Sequence, residues 1–185
     1  FNMQSGQLRM ECRVAQNPIM ISFDSVSRRI IVVCQDGSIS VITIKSKQVA
    51  TSNLDMIVKM AHFHVDSNTA YVLSADDYSV SMFDVDINKV VRKLETPAGL
   101  VSDFCVTPDS KWLLCGQPSG MVLLWDLISG VLIGQLPLLK RPIRSIAVSP
   151  EGDMIATVAV GCNHADLWWF QPHHAAAVST IAITN

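Results

Sequence analysis

The residues of this chain best equipped for chemistry gather near its far end, in GCNHADLWWFQPHH, where Cys162 and His164 are followed nine residues on by His173 and His174. Thiols and imidazoles are ligands for zinc, and two such residues separated by one other fall on the same side of an extended strand. A closed metal site needs four converging ligands. The stretch therefore reads as a solvated loop with adventitious histidines, with metal ligation as the alternative. Serine, histidine and aspartate are all present, as in any chain of this size. No G-x-S-x-G elbow, HExxH helix or Walker loop occurs, nor two close glutamates for glycoside chemistry. His62 and His64 sit in an apolar run and read as core-edge residues. No catalytic, cofactor-binding or metal residue is assigned, and the expectation is a non-enzyme with no cofactor and no small-molecule substrate. One dense basic group remains: Lys140, Arg141 and Arg144 in LLKRPIRSI. It suits an RNA phosphate or an acidic partner, or is a plain solvated loop.

Composition narrows the classes. The chain has 185 residues, 49% hydrophobic and 16% charged, with a formal net charge of −2. That is enough for a sizeable core and far from disordered composition. The balance implies no bulk attraction to nucleic acid or membrane. No run of about 18 apolar residues predicts a membrane span. The opening FNMQSGQLRM lacks the regions of a signal peptide, and its first residue is not Met, so a piece of a longer chain is expected. Cys12, Cys34, Cys105, Cys115 and Cys162 are odd in number and loosely spaced, which argues for reduced, buried core thiols.

The elements that must position these residues emerge from a repeat. Trp125-Asp126, in GMVLLWDLISG, has counterparts at Phe1-Asn2, Ile42-Thr43, Phe83-Asp84 and Trp168-Trp169, at intervals of 41, 41, 42 and 43 residues. Asp36-Gly37, Asp77-Tyr78 and Ser119-Gly120 stand six residues before three of these anchors, and all are turn chemistries. Upstream, ISFDSVSRRIIVV, AHFHVDSNTAYVL, DFCVTPDSKWLLC and IAVSPEGDMIATV share one layout: apolar strand, polar turn, apolar strand. In the unit around Trp125 the strands are predicted at 101–107, 112–116, 121–126 and 131–135.

A period of about 40–45 residues, four strands per unit and a Trp-Asp end on the third strand describe the WD40 propeller blade. The fold class is all-β, a partial WD40 β-propeller ring of about four blades. The blade end falls at 1–14, and blades follow at about 15–53, 54–96, 97–138 and 139–185, where AAAVSTIAITN is a candidate last strand. A blade lies between two others, so its inner strands read as continuous apolar runs. The structural repeat positions are Phe83, Asp84, Trp125, Asp126 and Trp168: the ring packs, and the carboxylate bonds nearby backbone. The Lys140–Arg144 group falls between a fourth strand and the next first strand. Asp36, Asp76 and Asp77 are expected on the same face, Arg28, Arg29 and Lys111 on the opposite one.

Four stretches carry a narrower resemblance: FNMQSGQLR at 1–9, LSADDYSVSMFDVDINKVVRKLE at 73–95, VTPDSKWLLCGQPSGMVLLWDLISGVLIG at 106–134 and VSPEGDMIATVAVGCNHADLWW at 148–169. In this order they resemble the WD-repeat protein of the UTP-B subcomplex of the U3-associated small-subunit processome. Residues 54–68 and 170–185 match least, and Thr43, Ser119 and Trp169 depart from the repeat pattern. That family has tandem propellers and a helical C-terminal domain, and the match falls in the later blades of the second propeller. The resemblance implies a nucleolar scaffold in pre-rRNA processing, partnered by other subunits of a ribosome-assembly complex and by U3 RNA or pre-rRNA, with no membrane. The alternative is a generic WD40 protein-binding subunit of another intracellular complex.

Overall fold

The computed structural model describes residues 11–24, 26–96 and 100–171. Among these the chain is all strand, with no helix. The first sheet holds β1 (Pro18–Asp24), β2 (Arg29–Cys34), β3 (Ser38–Thr43) and β4 (Gln48–Asn53). The second holds β5 (Val58–His64), β6 (Thr69–Ser74), β7 (Val80–Asp84) and β8 (Lys89–Leu94). The third holds β9 (Asp103–Val106), β10 (Trp112–Gly116), β11 (Met121–Asp126) and β12 (Val131–Pro137). The fourth holds β13 (Ile143–Val148), β14 (Met154–Ala159) and β15 (Asp166–Trp169). Each sheet is an antiparallel meander in chain order. This is a partial WD40 propeller. The Phe1 anchor, His173, His174 and the candidate last strand lie outside the described residues.

The register shows how one strand serves two sheets. Side chains alternate across a strand, so β11 sends Trp125 one way and Leu124 the other. Trp125, 6% exposed, packs with Tyr71, Leu73 and Val80 of the second sheet. Leu124 packs with Ile143, Ile146 and Ile155 of the fourth. The other anchors face backward in the same sense. Phe83 meets Ile31, Val33 and Val41, Trp168 meets Leu114 and Val122, and Ile42 lies in a cluster with Cys12, Val14 and Ala15. The second and third strands of each unit are thus apolar on both faces because each face meets a neighbour. At the far end of the series the described residues leave such a face bare: on β15 Leu167 is 48% exposed and Trp169 52%.

Each anchor also has a facing position on the second strand. Trp168 pairs across from Ile155, and its Nε1 donates to Thr157 Oγ1, two residues on, at 2.9 Å. Trp125 pairs across from Leu113, which places Cys115 where Thr157 stands. The Trp125 Nε1 is buried with no hydrogen-bond partner among the described residues. Beside Phe83 and Ile42, which have no N–H to satisfy, the same position holds Val72 and Val32. The third sheet has the indole without its acceptor.

The carboxylate after the anchor ends its strand by capping the next turn. Asp126 Oδ1 accepts from the N–H of Ile128 at 2.8 Å and of Ser129 at 3.3 Å. Asp84 Oδ1 does the same for Asp86 at 2.8 Å and Ile87 at 3.2 Å. On the same rim Arg29 clamps the first sheet to the second. Its guanidinium reaches Asp24 Oδ2 at 2.9 Å, Asp86 Oδ1 at 2.8 Å and Asn68 Oδ1 at 3.0 Å. The Arg29 side chain is 13% exposed and that of Asp24 3%. Burial works to raise the Asp24 pKa, but the Ser27 N–H and the Arg29 guanidinium outweigh it and hold the carboxyl below its ordinary value.

Two outcomes follow from these contacts. Cys115→Thr should raise the unfolding free energy by about 1 kcal/mol by giving the Trp125 indole an acceptor. The gain should vanish in a Trp125→Phe background, and an equal gain in both backgrounds in denaturant titrations would contradict the pairing. Arg29→Met should cost about 3 kcal/mol at neutral pH, because Asp24 stays buried without its cation. A carboxyl with a depressed folded pKa contributes stability above its unfolded value of about 4, lost as pH falls through the folded value. Wild type and variant should therefore converge in acid, and a constant gap down to about pH 2 would refute the clamp.

Candidate interaction surface

Two kinds of turn build the rim that carries the basic group: the hairpin between second and third strands, and the connector from a fourth strand to the next first strand. The hairpins share one device. Asp36 Oδ1 accepts from the Ser38 N–H and hydroxyl, and Asp77 Oδ1 accepts from those of Ser79 at 3.0 and 2.7 Å. In the third sheet Ser119 Oγ accepts from the Met121 N–H at 3.4 Å. The middle residue is left-handed each time, with φ 85° at Gly37, 56° at Tyr78 and 86° at Gly120. At Gly120 a Cβ would lie 2.0 Å from Leu139 O, so the connector backbone crosses directly over the hairpin.

That crossing fixes the basic connector. Leu139 N–H donates to Gly120 O at 3.1 Å, Ile143 N–H to Gln117 O at 3.1 Å, and Val160 N–H to Pro142 O at 2.8 Å. Lys140 and Arg141 stand exposed on this pinned backbone. Arg141 Nη1 lies 3.4 Å from Cys162 Sγ. Among the described residues neither cation forms an ion pair with a carboxylate. Arg144 is placed differently from the expectation of a single loop: it lies inside β13, at a bulge between Ile143 and Ser145.

The acidic residues of the same rim lie on the first two sheets. Asp36 caps its own hairpin. Asp76 Oδ2 accepts from the Ile57 N–H at 3.2 Å. Asp77 is paired with Lys93 at 2.7 Å, and that cation together with Ser79 holds its carboxyl far below the usual range. The rim therefore runs from paired or capping carboxylates on sheets one and two to unpaired cations over sheets three and four. Capping and pairing with Lys93 consume the former, whereas among the described residues the latter have no carboxylate partner.

The other candidates take structural places. His164 is exposed and lies 3.9 Å from Asp166. No group of three or more His, Cys, Asp or Glu that could hold a metal occurs among the described residues. His64 Nδ1 is 3.0 Å from Ser110 Oγ, joining the second and third sheets, whereas His62 is exposed rather than at the edge of the core. All five thiols are free, but only Cys34 and Cys115 are buried, and the other three are half-buried. Burial, with the Asp103 charge, pushes the Cys105 thiol up to about 12. Sequence reasoning missed three polar links between sheets. Arg29 was read only as a surface cation, Lys59 donates to Val101 O at 2.6 Å, and Asp103 Oδ2 accepts from Ser145 Oγ at 2.6 Å and Ile146 N–H at 2.9 Å. Asp103 takes the register place of Met20 and Met60, so the repeat carried no signal for it.

Known proteins agree with this architecture. The family model described as WD domain, G-beta repeat matches residues 88–126, ending on the Trp125-Asp126 pair. The chain is 26% identical over 170 residues to U3 small nucleolar RNA-associated protein 21 of Saccharomyces cerevisiae, across 91% of this chain and 18% of the relative. It is 25% identical over 173 residues to the homolog of that protein in Schizosaccharomyces pombe, across 91% of this chain and 19% of the relative. It is 34% identical over 96 residues to WD repeat-containing protein 36 of Homo sapiens, across 52% of this chain and 11% of the relative. The chain thus spans less than a fifth of the length of these curated relatives. One of its repeats matches the WD domain model, the other sheets follow the same meander, and the protein group it resembles is that of U3 small nucleolar RNA-associated protein 21.

Proposed function

We propose that this chain supplies propeller surface for assembling the U3-associated small-subunit processome, as a non-catalytic scaffold in pre-rRNA processing and small ribosomal subunit biogenesis. The observation that carries the reading is the alignment of 91% of the chain with U3 small nucleolar RNA-associated protein 21 in two yeasts. On this reading the protein works in the nucleolus, within the UTP-B subcomplex, alongside other assembly subunits and with U3 RNA or pre-rRNA held through the complex. Side chains of the second and third strands are consumed in packing sheet on sheet, so this reading gives specificity to the turns. Lys140 and Arg141 are the proposed contact for RNA phosphate or an acidic subunit, because their backbone is pinned and their charges have no carboxylate partner among the described residues.

Affinity purification of the full-length protein followed by RNA sequencing tests the assignment. U3 RNA and pre-rRNA should co-purify, and their absence would place the chain in another intracellular complex. The connector is tested separately by changing Lys140 and Arg141 together to Ser. Stability should shift by less than about 0.5 kcal/mol, since these are exposed charges away from any special feature. Co-purification should weaken and depend less steeply on salt, because two charge contacts are gone, with precursors of the small-subunit rRNA accumulating in cells. Unchanged recovery across a salt series would remove this connector from the contact surface while leaving the scaffold reading in place.

A further inference from the structure

We propose that Arg144 latches the fourth sheet to a further antiparallel sheet of the same kind by donating to a backbone carbonyl there, and that it stands apart from the contact surface of Lys140 and Arg141. The inference is independent of which complex the protein serves. It begins with a bulge that recurs at the start of the first strands. Register shifts between Pro18 and Met20, Val58 and Met60, and Ile143 and Ser145 leave Ile19, Lys59 and Arg144 as extra residues. In the third sheet Ser102 holds the same place, between buried Val101 and Asp103, with its N–H donating to Gly116 O at 2.8 Å. A bulged residue leaves the alternation of the pleat and is re-aimed away from its own ladder.

Lys59 shows what a cation does at this place. Its Nζ crosses to the next sheet and donates to Val101 O at 2.6 Å, with the ammonium 5.1 Å from the centre of the Tyr78 ring. Val101 is itself the buried residue that precedes the bulge of the following sheet, as Val58 and Ile143 are in theirs. Arg144 occupies the position of Lys59, two repeats further on, and has no hydrogen bond or ion pair among the described residues. The face beside it has the pattern of a covered sheet. Leu167 corresponds to Val41, Met82 and Leu124, each packed against the next sheet, yet it is 48% exposed. The series of interfaces from first sheet to fourth continues onto this face, so its occupant is another sheet, and the carbonyl Arg144 requires is the counterpart of Val101 O.

A photo-reactive p-benzoylphenylalanine placed at 144, and in a second variant at 140, in the full-length protein tests this directly. Cross-links from 144 should map to the first-strand entry of another WD40 repeat of the same polypeptide, and those from 140 should not. Cross-links from 144 to RNA, to another subunit, to residues 172–185, or to nothing would overturn the assignment. In parallel, Arg144→Ala should lower the unfolding midpoint by about 2–4 °C, and Arg144→Lys should restore most of the loss, as Lys59 does its work with an ammonium. An unchanged midpoint for Arg144→Ala, or a Lys variant as damaged as the Ala variant, would also refute it.

Discussion

An antiparallel sheet that is apolar on both faces cannot stand alone in water, and every other property of this chain follows from that. Four strands give no buried volume unless a second sheet covers each face. The anchor residues solve half of this problem by facing backward, and their strand neighbours solve the other half by facing forward, as Trp125 and Leu124 do from adjacent positions on β11. Stability is then a property of interfaces between sheets more than of any sheet, as in other stacked repeats. The polar links at the rims, Arg29, Lys59, His64 and Asp103, each span two sheets and add direction to a contact that hydrophobic packing leaves free to slide.

Much of this was legible in the sequence because packing imposes a period. The spacing of the anchors located β10 and β11 to the residue, at Trp112–Gly116 and Met121–Asp126. The first strand was drawn too long at both ends, for local reasons. Val101 is a buried plug before the bulge, and Thr107 closes the ladder, its N–H donating to Trp112 O at 2.9 Å while its hydroxyl, in place of its carbonyl, accepts the Trp112 N–H at 3.1 Å. Left-handed turn positions were visible where glycine marks them and hidden at Arg28, Lys47 and Tyr78, whose φ values are 50°, 57° and 56°. Tyr78 holds the place that Gly37 and Gly120 hold in their hairpins, so turn geometry repeats more strictly than turn sequence.

The candidate surface was only half legible. Lys140, Arg141 and Arg144 look like one group in LLKRPIRSI, but two sit on a connector and the third on a strand bulge. Charge density in sequence does not distinguish a cation offered to solvent from one built to reach a neighbouring sheet. Arg29 makes the same point from the other rim, since an Arg-Arg pair at the start of β2 conceals one largely buried clamp. Links between sheets depend on residues about a repeat apart or more, and they use whichever polar pair happens to face, so they leave no periodic trace.

Native-state hydrogen exchange of the folded protein, read strand by strand, tests the dependence of each sheet on its neighbours most directly. Amides of β6, β7, β10 and β11, in sheets covered on both sides by described residues, should exchange only by the same cooperative opening, with one free energy and one denaturant dependence. Separate openings of the second and third sheets, each with its own smaller free energy, would show that the sheets hold themselves together and would contradict the account.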